Sequence, residues 1–389
     1  MKARPRVALV SIGIGRFQRG FERYFTDLAA VMGEVVDLTL YGGVAGPGRR
    51  VPPALGPFTR LSHLLPVGQV ETEYREYKHD CLAYGLALAL ELARERFDVV
   101  HVIDPPLSKV VERLLPIVSP RTRLLYTNGT AWPVHLCPRR ARIHHVQEGS
   151  YEAALASGDS PQRNVLVPCG IHPDAFMVQE NRATLRARHG IRPGQFVILV
   201  VAAVKRVHKR VDHIIEEVAG LEGDLLLWID GRPEDREVVA LAGERLGSRC
   251  RISYVPSHQV GELYHAADVM THAALDESFG LTVVEAMSTG LPVLVHDSPH
   301  FEWLAGSREP LVDMSRPGAL RARLAAMMRN PVAPSPDGNA AVLARSRFDW
   351  RVLRDAYQAL YEGTARASPG GLGVPSPGAS SSYANKEPH

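Results

Sequence analysis

The sequence of 389 residues lacks the motifs of several common protein classes. Its four cysteines, Cys81, Cys137, Cys169 and Cys250, are scattered, with no CxxC pair and no zinc-ligand spacing. They fit a reducing compartment such as the cytoplasm. Neither His-Glu-x-x-His nor Asp-x-Asp occurs, so two common sequence signals of a bound metal ion are missing.

Neither charge nor hydrophobicity is extreme. The formal net charge of +3 is too small to indicate a nucleic-acid partner, and 45% hydrophobic with 22% charged residues is typical of globular proteins. The longest apolar run, residues 84–90, is far too short to span a bilayer. Residues 7–14 are short and lack a cleavage site, which argues against a signal peptide. The length suffices for two domains of ordinary size.

One stretch predicts a strand, a loop, a helix and a second strand. Residues 281–289 carry apolar side chains at helical spacing, and Gly290 with Pro292 just beyond is a typical helix end. The apolar runs 269–273 and 293–295 predict two strands of one parallel sheet. Such a unit places a helix N-terminus, with its unpaired N–H groups, at the carboxyl edge of the sheet. That position suits a phosphate or a polar sugar.

Two glutamates flank the start of this helix. Glu277 falls in the loop and Glu285 about one turn inside the helix, with seven residues between them. Both carboxylates can accept hydrogen bonds from the hydroxyls of one ligand. Gly280 lets that ligand approach the backbone closely. The alternative is two solvated glutamates, so the spacing alone is a hypothesis that depends on the rest of the chain.

The chain opens with a strand, a glycine turn and a helix. Residues 6–11 predict a buried strand, and residues 21–32 carry a helical apolar face. Gly13 and Gly15 form the turn, but the dinucleotide fingerprint GxGxxG is incomplete because position 18 is Gln. The pair is weak evidence, since a simple tight turn needs the same glycines. A nicotinamide-dependent oxidoreductase is therefore the least favoured function.

Further strands and helices alternate along the chain, as in α/β proteins. His101, inside one predicted strand, is interpreted as a satisfied core histidine. Residues 42–70 are rich in glycine and proline and predict a long connection, of a kind that is often functional. The other predicted elements are strands at 35–40, 97–104, 123–129, 196–201, 225–231 and 251–256, and helices at 74–94 and 348–366.

The two-glutamate stretch resembles the Glu-x7-Glu motif of retaining glycosyltransferases of the GT-B fold, specifically glycosyltransferase family 4. Residues 164–176 resemble the family's Pro-Asn-Gly-Val-Asp…Phe segment, with Cys169 in place of the usual Asn. Residues 202–212 resemble the loop in which an Arg and a Lys of the family grip the donor diphosphate. The resemblance covers about residues 6–366 and is stronger in the second half.

The resemblance implies an α/β protein of GT-B fold, in which two Rossmann-like domains face a central cleft. The hinge is expected within residues 177–194. The implied parts are an acceptor domain at 1–180, a nucleotide-sugar donor domain at 191–347, a helix crossing back to the first domain at 348–366, and a disordered tail at 367–389.

The resemblance assigns a phosphate clamp to the basic loop. Lys209 matches the family's Lys, whereas Val204 stands at the position of its Arg, so Lys205 or Arg206 must substitute. Four basic residues within six positions also fit a solvated turn. The glutamate motif downstream favours the clamp, with Lys209 and Arg206 acting in catalysis and Lys205 in donor binding.

The resemblance also assigns roles around the helix start. Glu285 would hold the ribose hydroxyls, and Glu277, counted as catalytic, would face the hydroxyls of the donor sugar. The N–H groups of Phe279, Gly280 and Leu281 would meet the sugar and the phosphate.

The first domain is expected to contribute fewer contacts. Its turn at Gly13 and Gly15 would face the donor phosphates and the acceptor. Asn128 stands near the place where many family members carry a histidine that touches the donor sugar or the acceptor. It is counted here among the donor-binding residues.

The implied function is a retaining, metal-independent transfer of a sugar from a UDP- or GDP-sugar to a hydroxyl acceptor, in glycan, glycolipid or glycosylated-metabolite synthesis. The nucleotide sugar is a substrate, and no cofactor is expected. A nucleotide-sugar epimerase or phosphorylase of the same fold and a non-catalytic sugar-binding homologue are the alternatives. The protein is expected in the cytoplasm, with peripheral contact at the inner face of the membrane as a further option. The sequence leaves the oligomeric state, the donor sugar and the acceptor open.

Overall fold

The computed structural model describes residues 4–17, 20–62 and 72–367, which form two α/β units that each contain one parallel sheet. The predicted pair of Rossmann-like units is therefore confirmed. The predicted tail at 367–389 lies outside the described residues except for Ala367, and so does the 63–70 part of the predicted connection.

Residues 4–17, 20–62 and 72–166 of the first unit contain seven strands and five helices. They are β1 (Arg6–Ser11), α1 (Gly20–Met32), β2 (Asp37–Gly42), β3 (Arg49–Arg50), α2 (Leu55–Ser62), α3 (Thr72–Arg94), β4 (Val99–Val102), α4 (Pro105–Val118), β5 (Arg123–Asn128), β6 (Arg142–His145), α5 (Glu148–Ala156) and β7 (Asn164–Leu166). The strand order is β3-β2-β1-β4-β5-β6-β7, with every pairing parallel. Strand β1 lies between β2 and β4, so both of its edges are paired. Its apolar side chains are fully buried, as expected for a central strand of a parallel sheet.

The second unit contains six strands and nine helices within the described residues. They are α6 (Arg182–Arg188), β8 (Phe196–Val201), α7 (Val211–Ala219), β9 (Leu225–Asp230), α8 (Arg236–Leu246), β10 (Cys250–Ser253), α9 (Val260–Ala266), β11 (Val269–His272), α10 (Leu281–Ser288), β12 (Val293–His296), α11 (Pro299–Ala305), β13 (Leu311–Val312), α12 (Ala319–Arg329), α13 (Asn339–Phe348) and α14 (Trp350–Arg366). The strand order is β10-β9-β8-β11-β12-β13.

Two parts of the first unit differ from the sequence-based expectation. The connection at 42–70 contains a strand, because Arg49 and Arg50 pair with Leu40 and Tyr41, and it also contains α2. Strand β6 was not predicted because its residues 142–145 include a single aliphatic side chain. It is nevertheless buried, since its histidines are hydrogen-bonded inside the unit.

The predicted hinge at 177–194 contains helix α6, which packs on α9 of the second unit. Arg182 and Arg186 of α6 each donate a hydrogen bond to the Asp268 carboxylate, at 2.8 and 3.1 Å. The Asp268 carboxylate also accepts the N–H of Val197 at the start of β8. These contacts hold α6 on the second sheet.

The last helix, α14, packs against β4 and β5 of the first sheet and against α1. Its first residue, Trp350, is buried and stacks on Tyr24 of α1 with 6.0 Å between ring centroids. Gly170 leaves room for this ring, because a Cβ there would lie 2.3 Å from it. The preceding residue, Asp349, accepts the N–H of Arg351 and so caps the helix. The end of the chain therefore returns from the second unit to the first.

A buried chain of hydrogen bonds joins α14 to the first sheet. His101 bonds the Tyr361 hydroxyl through Nδ1 at 3.0 Å and the Thr127 hydroxyl through Nε2 at 2.6 Å. Thr127 bonds His144 Nδ1 at 2.9 Å, and His144 Nε2 donates to the Val167 carbonyl at 2.8 Å. When all of these hydrogen bonds are donated in the same direction along the series, every group is satisfied and both imidazole rings are neutral. His101 is the satisfied core histidine that the sequence predicted.

This buried hydrogen-bond network leads to a prediction about how the stability of the protein depends on pH. Burial lowers the pKa of His144 to about 4, whereas a histidine in the unfolded chain titrates near 6.5. Between these values the unfolded state binds the extra proton, so the stability that His144 provides is lost as the pH falls. The substitution His144→Gln should therefore lower the free energy of unfolding by roughly 2 kcal/mol less at about pH 5 than at about pH 7.

Urea unfolding of wild type and His144→Gln at the two pH values measures this difference. His135→Gln changes an exposed histidine of the same unit and serves as the control. A cost of His144→Gln that does not change with pH would show that this ring is not held neutral.

Candidate active site

The starts of helices α1 and α10 meet across the cleft between the two units. A methyl group placed on Gly20, the first residue of α1, would lie 3.5 Å from Leu281 Cδ1, at the first residue of α10. Three residues further into α1, the Arg23 guanidinium lies 2.9 Å from the Glu285 carboxylate. The carboxyl edges of both sheets therefore border one site, where a ligand could contact both units.

Glu277 and Lys209, which are far apart in sequence, are in direct contact in this site. The Lys209 Nζ donates to Glu277 Oε2 at 2.5 Å, and His272 Nε2 lies 2.9 Å from the same oxygen. Burial by itself would raise the pKa of the Glu277 carboxyl, but the His272 hydrogen bond and the Lys209 charge together hold it well below the usual range. Glu277 is therefore a carboxylate beside a fixed cation, able to accept ligand hydroxyls.

The loop that carries Lys209 has an unusual backbone. The residues on either side, His208 and Arg210, adopt left-handed conformations with φ of 65° and 49°. Such conformations are unfavourable for residues with a side chain, by about 1–2 kcal/mol each. The loop is held from outside, because the Arg210 guanidinium donates to the carbonyl of Met314 at 2.8 Å. The strained turn directs Lys209 toward Glu277.

The start of α10 presents free backbone donors, as predicted. Gly280 has a φ of 92°, which only glycine adopts readily, and it precedes the first helical residue, Leu281. The N–H groups of Phe279, Gly280 and Leu281 have no acceptor among the described residues. The Phe279 carbonyl is bound by His300 Nε2 at 2.9 Å, and its ring is buried. This arrangement leaves three N–H groups for an anion or a sugar oxygen.

Glu285 is buried and already has two partners. Its Oε1 lies 2.9 Å from Arg23 Nη1, and its Oε2 accepts the Tyr264 hydroxyl at 2.9 Å. Burial raises the pKa of the Glu285 carboxyl, and the Arg23 charge opposes this rise. Arg23 also covers the ring of Phe176, with its Cζ 5.5 Å from the centroid. The pair Arg23–Glu285 therefore joins the first unit to the motif helix of the second.

The other two candidates of the basic loop point to different partners. Lys205 Nζ donates to Glu234 at 3.0 Å, and Arg206 donates to Asp212 at 3.1 Å from a half-exposed side chain. Neither contact involves Lys209 or Glu277. The structure therefore brings Lys209 alone of this loop to the glutamate motif.

The candidates of the first unit have structural partners. The Asn128 amide donates to the Trp132 carbonyl at 2.8 Å and its Oδ1 accepts the Trp132 N–H at 2.9 Å, so it closes the turn after β5. A Cβ on Gly13 would lie 2.2 Å from Glu22 Oε1, so a side chain there would displace the Glu22 carboxylate. Gly15, with a φ of 84°, borders a pocket that contains arginines of both units.

Sequence reasoning missed several residues of the site. Arg23, Tyr264 and His272 contact the two glutamates but belong to no motif that spacing reveals. Arg23 has a partial signal, because it lies in the Gly-Phe-Glu-Arg segment that resembles the family's first helix.

Neither a metal site nor a membrane span is present in the part of the chain that the structure describes. No three His, Cys, Asp or Glu side chains there are grouped as a metal ion would require. No described helix combines the length and the apolar character needed to cross a bilayer.

The second unit is similar in sequence to a known protein family. Residues 181–339 match the family model described as glycosyl transferases group 1. The lipopolysaccharide glucosyltransferase WaaG of Escherichia coli K12 is 35% identical over 142 residues, which are 34% of this chain and 37% of that protein. The chain thus matches little more than a third of the length of this relative.

Solved structures resemble the chain over nearly its whole length. Sucrose-phosphate synthase from Thermosynechococcus elongatus has a TM-score of 0.75 and 18% identity, over 92% of this chain and 98% of that one. Anabaena HepE in complex with UDP-glucose has a TM-score of 0.70 and 16% identity, over 92% of this chain and 99% of that one. The chain therefore has the GT-B fold, and within it residues 181–339 form a domain that matches the glycosyl transferases group 1 family.

Proposed function

We propose that this protein is a glycosyltransferase of family 4, which transfers a sugar from a UDP- or GDP-sugar to a hydroxyl acceptor with retention at the anomeric carbon. The observation that carries this proposal is the contact of Lys209 with Glu277 beside the start of α10. It provides a cation, a hydroxyl acceptor and free N–H groups in one cleft. The group 1 match and the UDP-glucose complex of HepE support a nucleotide-sugar donor.

The chemical demand in such a transfer is the charge that grows on the leaving diphosphate. In this proposal the Lys209 ammonium and the N–H groups of Phe279, Gly280 and Leu281 stabilise that charge, because they are fixed before the reaction begins. Glu277 accepts hydrogen bonds from the donor sugar. Its low pKa keeps it ionised for this role at neutral pH. In the structure Lys205 and Arg206 have other partners, so they contribute less here than Lys209.

The ribose contact requires a rearrangement. Glu285 is proposed to hold the ribose hydroxyls, yet its side chain is 3% exposed and Arg23 lies against it. A carboxylate has about four lone-pair sites, and two of those on Glu285 are used by Arg23 and Tyr264. The remaining sites are closed off by burial, so donor entry requires Arg23 to move off Glu285, which separates the two units at this point.

Metal independence, a cytoplasmic location and peripheral contact with the inner face of the membrane belong to the same proposal. Metal independence follows from the missing Asp-x-Asp motif and from protein cations that stabilise the leaving diphosphate in place of a metal ion. Turnover should survive an excess of EDTA. A loss of activity that Mn²⁺ or Mg²⁺ restores would contradict this part of the proposal.

Two substitutions separate binding from chemistry. Glu285 would touch a part of the donor that does not change during the reaction, so Glu285→Gln should raise KM with a smaller effect on kcat. Lys209 would meet a charge that grows as the bond breaks, and removing one such group typically lowers kcat by on the order of 10²–10³. Lys209→Ala should therefore act mainly on kcat.

A thermal-shift panel of nucleoside diphosphates and their sugars first identifies the donor. Initial rates over a donor titration at saturating acceptor then give both constants, with circular dichroism to check folding. Lys205→Ala is the comparison within the same loop. A near-normal kcat for Lys209→Ala with a large loss for Lys205→Ala would move the clamp to Lys205. Normal kinetics for both Lys209→Ala and Glu285→Gln would reject the transferase proposal.

A further inference from the structure

A pocket of the cleft lies beside the turn that follows β1. It has a volume of about 380 Å³ and is lined by Gly15, Arg16, Phe17, Arg49 and Arg232. Four of these residues belong to the first unit and Arg232 belongs to the second. The volume is within the range of pockets that hold small ligands. The partners of Glu277 and Glu285 described above, Lys209, His272 and Arg23, are not among these lining residues.

The chain uses glycines to position two of these arginines. A Cβ on Gly42 would lie 2.5 Å from Arg49 Cδ, and one on Gly46 would overlap the Arg49 guanidinium. A Cβ on Gly43 would lie 2.8 Å from Arg16 Nε. Arg49 thus packs closely against glycine backbone, and Gly43, whose Cβ would lie 2.0 Å from the Ile12 carbonyl oxygen, also leaves room for Arg16. The Arg49 Nε also donates to the Val44 carbonyl at 2.6 Å, which fixes the guanidinium.

The pocket has more positive charge than its surroundings neutralise. Arg16 is paired with Asp80 at 2.7 Å. Neither Arg49 nor Arg232 has a carboxylate partner among residues 4–17, 20–62 and 72–367. Arg232 is held by its backbone, because its carbonyl accepts the Val204 N–H at 2.8 Å, and its guanidinium is near the ring of Tyr254. Three guanidiniums with one carboxylate leave an excess charge that an anion can neutralise.

We propose that this pocket binds an anionic group, phosphate or carboxylate, carried by the acceptor substrate. The planar fork of a guanidinium matches the oxygens of these groups and forms paired, charge-assisted hydrogen bonds with them. The inference rests on the proposed function, since it names the acceptor class for the same cleft. It predicts that neutral hydroxyl compounds are poor acceptors and that their phosphorylated or carboxylated counterparts are good ones.

The acceptor is favoured over the donor by the position of the pocket. Four of the five lining residues come from the first unit, whereas Lys209, Glu277 and the start of α10 come from the second. The donor diphosphate already has a cation and three N–H groups there. Arg232 adds a contact from the second unit, so an anion in the pocket would bridge the two units.

The test uses inorganic phosphate as the probe, at constant ionic strength set with sodium chloride. Isothermal titration of the full chain is done alone and with the nucleoside diphosphate that the panel identifies. Phosphate should bind in both cases, since the two sites are separate. Arg49→Gln and Arg232→Gln should each weaken phosphate binding by about tenfold or more, the loss expected for a charged hydrogen bond. Both should leave the affinity for the nucleoside diphosphate within about twofold of wild type.

Arg50→Gln is the matched control. Arg50 is the neighbour of Arg49 in β3, but its guanidinium pairs with Glu95 at 2.8 Å outside the pocket. This variant should bind phosphate like wild type. If Arg49→Gln does not fold, Arg232→Gln still tests the pocket, because Arg232 is exposed and makes no side-chain hydrogen bond among the described residues.

Three results would overturn the proposal. The first is that wild type does not bind phosphate. The second is that Arg50→Gln and Arg49→Gln lose phosphate affinity equally. The third is that phosphate competes with the nucleoside diphosphate and Arg49→Gln weakens the binding of both ligands. The last result would assign the pocket to the donor. Failure of the proposed function is seen separately, as a wild-type protein that binds no nucleoside diphosphate while phosphate still binds.

Discussion

The structure of the cleft depends on one buried carboxylate that must be paired. Glu285 lies inside the second unit on α10, where an uncompensated charge would be costly. Its cation is Arg23, which comes from the first unit, and Tyr264 satisfies its other oxygen. The requirement to pair one side chain therefore fixes how α1 meets α10. In the proposed function a nucleotide uses the same carboxylate, so pairing between the units and donor binding would be alternatives at this position.

The positive charges of the cleft serve two separate regions. Lys209 lies in the second unit and is held against Glu277 by a strained turn, so its charge is already balanced before a ligand arrives. Arg49 of the first unit and Arg232 of the second line another pocket and have no carboxylate to balance them in the part of the chain described. A balanced cation suits a charge that grows during a reaction, whereas unbalanced cations suit a charge that the ligand carries permanently.

Much of the second unit could be predicted, because its signals are local. The apolar spacing of residues 281–289 and the glycine at 290 predict α10 within one residue of its observed end. The contact between Lys209 and Glu277 could not be predicted from spacing, because it depends on left-handed residues at 208 and 210. The contact of Arg206 with Asp212 was not predicted either. Arg23 meets Glu285 because the two units pack together, and no local sequence pattern predicts that packing.

The central claim is that Lys209 meets the terminal phosphate of a nucleoside diphosphate in the cleft. Isothermal titration tests this claim. A nucleoside diphosphate and the corresponding monophosphate are each titrated into wild type and into Lys209→Ala. The account predicts that wild type binds the diphosphate about tenfold or more tightly than the monophosphate and that Lys209→Ala abolishes most of this difference. Equal affinities in wild type, or a preference that survives in Lys209→Ala, would contradict it.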